Sequence, residues 1–214
     1  MMVRRSALCL GAALIALASC APKPQAPTGP LRVVVGSFTA DPAIVTLDPT
    51  VRRSADATEA DDVAAGAVET LVATLAYRLQ QSGISAQRLP AGAAPGANDT
   101  LLSGHLDRID EGNRTERATG GGRPVVTGTL VISRTGADGK TDTIATVTGD
   151  SSAADVPGIR GGAAASAAAL AGGGERARQL LIAGVQAEAR RLANVFADQA
   201  RPVLVDRHLV PPRS

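Results

Sequence analysis

Hydrophobic and polar positions alternate along the chain in patterns that predict strands and two long helices. The β-branched run Leu31–Val35 ends at Gly36 and predicts a buried strand, with Phe38 facing the core after it. Thr58–Ser82 repeats apolar residues at spacings of three and four, which predicts a helix that Gly83 ends. The apolar face of this helix consists of Ala64, Val68, Leu71, Leu75 and Leu79.

The middle of the chain predicts more strands. Ile84–Leu89 is typical of a short strand, and Leu101–Ile109 alternates enough to predict another. Pro124–Ser133 and Thr141–Thr148 flank a turn at Gly136–Gly139, which predicts a hairpin. In the strand Leu101–Ile109 we expect one side to carry Leu102, Gly104, Leu106 and Arg108.

A second long helix is predicted over Glu175–Ala200, ended by Pro202, with Val203–Val210 as an edge strand or a loose arm. Its expected face is Ala177, Leu181, Val185, Leu192, Val195 and Phe196. The order of elements predicts an α+β fold: a two-layer sandwich of a mixed, mostly antiparallel sheet with both helices on one face. The small-residue stretch Gly161–Gly174 fits either a close-packing surface or, as we favour, a connector.

The N-terminus has the pattern of a secretory signal. Arg4 and Arg5 precede a 12-residue apolar run, Ala7–Ala18, which is shorter than the about 20 residues of a membrane-spanning helix. The run ends in Leu-Ala-Ser19-Cys20, which resembles a bacterial lipobox, so cleavage is expected between Ser19 and Cys20 and lipidation on Cys20. An ordinary signal cut near Ala18 or Ala21 is the alternative.

Three regions follow from this reading: a signal peptide over residues 1–19, a lipidated Cys20 with a Pro-rich tether over residues 20–30, and a single periplasmic domain over residues 31–214. An Asp after the Cys usually retains a lipoprotein in the inner membrane, and Ala21 stands there instead. We therefore expect a chain anchored by lipid on the periplasmic side of the outer membrane.

Composition excludes several classes of protein. The chain has 22 basic and 20 acidic residues, and removal of Arg4 and Arg5 with the signal peptide leaves a net charge of zero. Binding to nucleic acid is therefore not expected. The aromatic residues Phe38, Tyr77 and Phe196 are too few for a base-stacking surface. Two Cys and two His argue against a disulfide framework or a zinc site, and no cofactor is implied.

The chain resembles bacterial envelope lipoproteins of the domain of unknown function 4410 family. The matching residues are the lipobox, Val33-Val34-Val35, Phe38, Asp41-Pro42, Leu47-Asp48, Gly104, Ile109–Arg114, Pro157-Gly158 and the Ala-rich last helix. Glycines at 120–122 stand where the family has a Gly-x-Gly segment, without its apolar residues. The resemblance implies a fold and an envelope address, and it carries no known activity.

A polar cluster follows the predicted strand Leu101–Ile109. Asp107, Asp110 and Glu111 with Asn113 and Arg114 could form a site for a hard cation or an Arg-centred anion site. We favour a plainer interpretation, in which Asp110 and Asn113 cap a turn and Arg114 pairs with a carboxylate. In a strand, Asp110 and Glu111 would point to opposite faces.

Two further patterns resemble catalytic or phosphate sites weakly. Gly120–Gly122 with Arg123 lacks the following helix that a phosphate-binding loop needs, so a hairpin connection is favoured. His105 could form a catalytic triad with Ser37 or Ser103 and an Asp. A histidine in the middle of a strand is more often partly exposed or hydrogen-bonded, and we favour that interpretation. We therefore expect no enzyme activity.

The sequence thus predicts a non-catalytic binding or scaffolding protein with an envelope protein as its partner. The alternative is a periplasmic protein that binds a small ligand or anion. Contacts to such an anion or to the partner would come from Asn113, Arg114 and Arg123.

Overall fold

Six strands and two long helices make up the part of the chain that the structure, a computed structural model, describes: residues 31–48, 58–113, 116, 122–153 and 175–210. The strands are β1 (Val33–Thr39), β2 (Val45–Thr46), β3 (Ala86–Arg88), β4 (Thr100–Asp110), β5 (Val125–Thr135) and β6 (Thr141–Asp150), and the helices are α1 (Thr58–Gln81) and α2 (Glu175–Asp206). Short 3₁₀ turns cover Pro42–Ile44 and Ser151–Ala153. In these ranges no helix is both long and apolar enough to cross a membrane.

The strands form one mixed, open sheet in the order β3-β1-β4-β5-β6, with β2 beside the end of β4. Strands β3, β1 and β4 run parallel, as does β2 with β4, while β4, β5 and β6 are antiparallel and contribute most of the pairing. One apolar cluster joins the inward side chains of the sheet to both helices. The predicted α+β sandwich is confirmed.

Register shifts decide which side chains of β1 and β4 reach the core. Simple alternation after Val35 would turn Ser37 inward, but a shift in the pairing with β4 turns Phe38 inward instead. A second shift, after Leu106, leaves Arg108 exposed and buries Ile109. The prediction that Arg108 shares a side with Leu106 is therefore wrong, because the bulge inserts one residue.

Phe38 of β1 and Phe196 of α2 pack against each other in the centre of the core, with ring centroids 6.3 Å apart. Both rings lie over glycines of the sheet. A Cβ on Gly104 would collide with the carbonyl oxygen of Thr129 and lie 2.8 Å from the Phe38 ring. A Cβ on Gly149 would lie 2.7 Å from the Phe196 ring. The two glycines therefore provide the space in which the helix layer approaches the sheet.

Both helices end in the same hydrogen-bonded motif. Gly83 after α1 and His208 after α2 have positive φ values of 79° and 53°, and the next residues donate backward to carbonyls five residues earlier. Those next residues, Ile84 and Leu209, are buried. The expected stop at Gly83 is confirmed, and His208 is exposed.

Pro202 does not end α2, contrary to the expectation, and Val203–Val210 forms neither a strand nor a loose arm. The helix continues to Asp206 because Leu204 and then Leu209 are buried against the core. A proline inside a helix lowers its stability by about 3 kcal/mol. Burying a leucine side chain raises the stability of the fold by about 1.5–3 kcal/mol, and two leucines are buried here. Thr100 also donates a hydrogen bond from Oγ1 to the carbonyl of Leu209.

The ends of several predicted strands also change. β1 runs through Gly36 to Thr39, because the glycine has no side chain to meet Leu101 on β4. Val45–Thr46 pairs with Ile109 and Asp110 as β2, a strand that the sequence did not predict. Asp41 accepts the N–H of Ala43 and caps the 3₁₀ turn.

Two ion pairs lie near β3 and the start of β4. Arg88 donates two hydrogen bonds to Glu69 of α1, at 2.8 and 2.7 Å, which lower the pKa of Glu69 and raise that of Arg88. Because both side chains are about half exposed or more, the pair adds little stability. Asp99 is buried and accepts hydrogen bonds from Arg32 and from the N–H of Gly96, which fixes the entry into β4.

We predict that Gly104→Ala lowers the free energy of unfolding by about 1–3 kcal/mol, because the new methyl group overpacks the contact between Phe38 and the sheet. Thermal unfolding followed by circular dichroism measures this. Gly66→Ala in α1 is the matched control: its new methyl group would meet only Gln186, at 3.5 Å, and should raise stability by up to about 1 kcal/mol. Equal effects at both sites would contradict the packing argument.

Candidate interaction surface

The loop after β4 is organised by its own polar side chains. Oδ1 of Asp110 accepts the N–H of Gly112 at 2.7 Å, and Oδ1 of Asn113 accepts the N–H of Glu116 at 3.4 Å. The N–H of Asn113 donates to the carbonyl of Gly122 at 3.1 Å, which closes the loop. The interpretation of Asp110 and Asn113 as turn caps is confirmed.

Glu111 points away from Asp110, as strand geometry predicts. It is 0% exposed, and its Oε2 accepts the N–H of Asp48 at 3.0 Å, while its own N–H donates to the carbonyl of Thr46. Asp110 lies instead beside Arg108, with which it forms an ion pair. Among the described residues no group of three or more His, Cys, Asp or Glu could hold a metal ion.

The predicted anion-contact residues are only partly placed by the structure. Asn113 uses its side chain and its N–H within the loop. Arg123 directly follows Gly122, so its backbone lies next to Asn113, and its side chain is exposed. Arg114, like Ser19 and Cys20, lies outside the described residues, as do residues 20–30 and the stretch Gly161–Gly174.

The face of the sheet opposite the helices, here called the outer face, carries mostly polar side chains. At its centre lie Ser103, His105 and Asp107 of β4, Thr127, Thr129 and the apolar Val131 of β5, and Thr146 and Thr148 of β6. His105, Asp107, Thr146 and Thr148 are exposed, and the others are partly exposed. Both described helices pack on the other face, and no described element covers this one.

A small cluster on the outer face joins three of these side chains. Nε2 of His105 lies 2.9 Å from Oδ1 of Asp107, and Oγ1 of Thr129 donates to Oδ2 of the same carboxylate at 3.0 Å. The imidazole and the carboxylate are 54% and 43% exposed. His105 is therefore a hydrogen-bonded, exposed strand residue, as favoured from the sequence. The hydroxyl of Thr129 donates to the Asp and not to the His, so the cluster does not have the order of a hydrolase triad.

Sequence reasoning missed two contacts that organise this end of the sheet. The sequence pattern places Asp107 in a charged cluster for a cation or an anion and does not indicate that it is the extra residue of the β4 bulge, in contact with His105 and Thr129. The contact between Glu111 and Asp48 joins residues 63 positions apart. The strand predicted over Thr141–Thr148 as the partner of Pro124–Ser133 is present as β6.

Comparison with known proteins gives one match: the model of the family described as Domain of unknown function (DUF4410) matches residues 33–131. The chain carries a DUF4410 domain. No curated protein matches the chain, and no solved structure does. The matched part extends from the first residue of β1 into β5, and it includes α1 and the loop after β4.

Several residues that carry the resemblance to DUF4410 contact each other inside the fold. Gly104 makes room for the ring of Phe38, and Glu111 accepts the N–H of Asp48. Asp41 caps the turn between β1 and β2. These residues therefore contribute to the fold of the domain.

We predict that Glu111→Ala costs about 1–3 kcal/mol of stability, because the N–H of Asp48 stays buried and loses its acceptor. Urea unfolding measures the change. Asp107→Ala is the control, since an exposed carboxylate on the same strand should change stability by no more than about 0.5 kcal/mol. A larger loss at Asp107 than at Glu111 would show that this assignment of roles is wrong.

Proposed function

We propose that this protein is a non-catalytic binding or scaffolding lipoprotein of the cell envelope, held on the periplasmic side of the outer membrane by lipid on Cys20. The address rests on the sequence: an apolar run too short to span a bilayer, followed by Ser19-Cys20 and by Ala21 in place of Asp. Several acyl chains on one Cys anchor a protein stably, since each buried methylene contributes about 0.8 kcal/mol.

The observation that carries the binding role is the outer face. A two-layer fold needs only one covered face of its sheet, and here the second face presents hydroxyls and the pair His105 and Asp107 to solvent. Such a face can form hydrogen bonds across a wet, polar protein interface. Two residues of the family resemblance, Gly104 and Glu111, are used inside the fold.

The alternative, an anion-binding protein, gains no support from the described part of the loop. Asn113 is used in the turn itself, and the carboxylate of Asp110, which pairs with Arg108, lies in the same loop. A protein partner is therefore the better proposal.

Lipidation is tested by replacing Cys20. In cells fed radiolabelled palmitate, Cys20→Ser should remove the label and leave a longer, uncleaved precursor, because the thioether cannot form. Cys9→Ser is the matched control within the same apolar segment and should leave labelling and cleavage unchanged. Labelled Cys20→Ser protein would refute the proposed anchor.

Partner binding is tested by photo-crosslinking in intact cells. A photoreactive residue in place of Ser103 on the outer face should give one reproducible adduct with an envelope protein, identified by mass spectrometry. The same residue in place of Tyr77, which is 57% exposed on α1, is the control for the helix layer and should give none. Adducts of equal yield at both positions, or none from the outer face, would contradict the proposal.

A further inference from the structure

Strand β6 is a free edge of the sheet. Within the described residues it pairs with β5 alone, and it is ten residues long. Between Asp142 and Asp150 it carries no charged residue and no proline. Natural proteins protect an edge strand with charged residues, proline, a β-bulge or a short length, because unpaired backbone groups bind other strands. Of these features β6 has one bulge and two acidic residues near its ends, so the uncharged stretch between them is suited to pairing.

The ladder between β5 and β6 shows which backbone groups are free. Thr135 exchanges hydrogen bonds with Asn98 and Asp99 on the β4 side, whereas the N–H of Gly136 donates to Lys140 at the start of β6. Backbone groups of successive residues alternate between the two neighbouring strands. The even-numbered residues of β5 therefore bond to β6, and the register pairs them with Ala145, Val147 and Gly149.

The residues between these positions, Thr146 and Thr148, consequently turn their N–H and C=O groups toward the free edge. Their side chains lie on the outer face and are exposed. One irregularity interrupts the strand: Ile132 pairs with Ala145 and Ser133 with Thr143, so Ile144 is an extra, bulged residue.

We propose that β6 binds β6 of a second copy of this chain in antiparallel orientation, with Thr146 opposite Thr146, so that two sheets join into one. With Ile144 skipped in both copies, Thr148 lies opposite Thr143 and Val147 opposite Ala145. Hydroxyls then meet hydroxyls on the outer face, and apolar side chains meet apolar ones on the helix face. Thr–Thr pairs across antiparallel strands are favourable.

The bulge is what makes this register electrostatically acceptable. In a regular strand centred on Thr146, Asp142 of one copy would lie opposite Asp150 of the other, and like charges directly opposite destabilise a sheet. The extra residue Ile144 shifts the pairing by one position, so that Asp142 lies opposite Gly149 and Asp150 opposite Thr141. β6 is thus complementary to itself along its whole length.

Disulfide formation tests the proposed pairing in the full-length chain. Thr146→Cys should give a disulfide-linked dimer on oxidation in intact cells, because hydrogen-bonded residues opposite each other have Cα atoms about 5.5 Å apart, within the range of a disulfide. Thr129→Cys is the matched control: it lies on the same face, one strand further in and beside Thr148, so the two copies would be about 20 Å apart. The unsubstituted chain, which retains Cys9 and Cys20, gives the background.

A second variant separates pairing from folding. Adding Thr148→Pro to Thr146→Cys removes an N–H that faces the free edge and none that bonds to β5. The dimer yield should fall at least tenfold below that of Thr146→Cys alone. The thermal unfolding midpoint of the variant with proline should stay within a few degrees of the midpoint of Thr146→Cys. The proposal would be overturned by a Thr146→Cys chain that stays monomeric, that links only to a different protein, or that dimerises equally well after Thr148→Pro is added.

Discussion

The contact between Phe38 and Phe196 sets the distance between the two layers of this protein. A chain with three aromatic residues places two of them face to face, and both rings take the space left by glycines of the sheet, Gly104 and Gly149. Aromatic rings bury more surface than any other side chain, about 150–250 Å² each. The remaining core, built from Val, Leu, Ile and Ala, fills in around this pair.

Much of the fold could be predicted from local patterns, because most elements here follow simple periodicity. The apolar face of α1, the stop at Gly83 and the hairpin at Gly136–Gly139 are all present in the structure. What failed was set by tertiary contacts. Pro202 breaks helices in isolation, but burial of Leu204 and Leu209 holds α2 in place beyond it. A bulge in β4 also turns Arg108 to the face opposite the one predicted, because simple two-residue alternation does not allow for an inserted residue.

The loop after β4 was predictable where a residue acts on its neighbours and unpredictable where it acts across the fold. The capping roles of Asp110 and Asn113 follow from their positions in the sequence. The partner of Glu111 could not be predicted from sequence position, because Asp48 lies beside Glu111 only through the pairing of β2 with β4. A run of acidic residues that could have been a metal site is in this way divided between the core and the surface.

The two ends of the described domain meet at one end of the sheet. Arg32 accepts a backbone hydrogen bond from Thr100, and Leu209 accepts one from the side chain of the same threonine. β4 then runs 11 residues, about 36 Å at about 3.3 Å per residue, to the loop of Asn113 at the opposite end. The described domain thus begins and ends at the same end of the sheet, and the loop of Asn113 lies at the other end, separated from both termini by the length of β4.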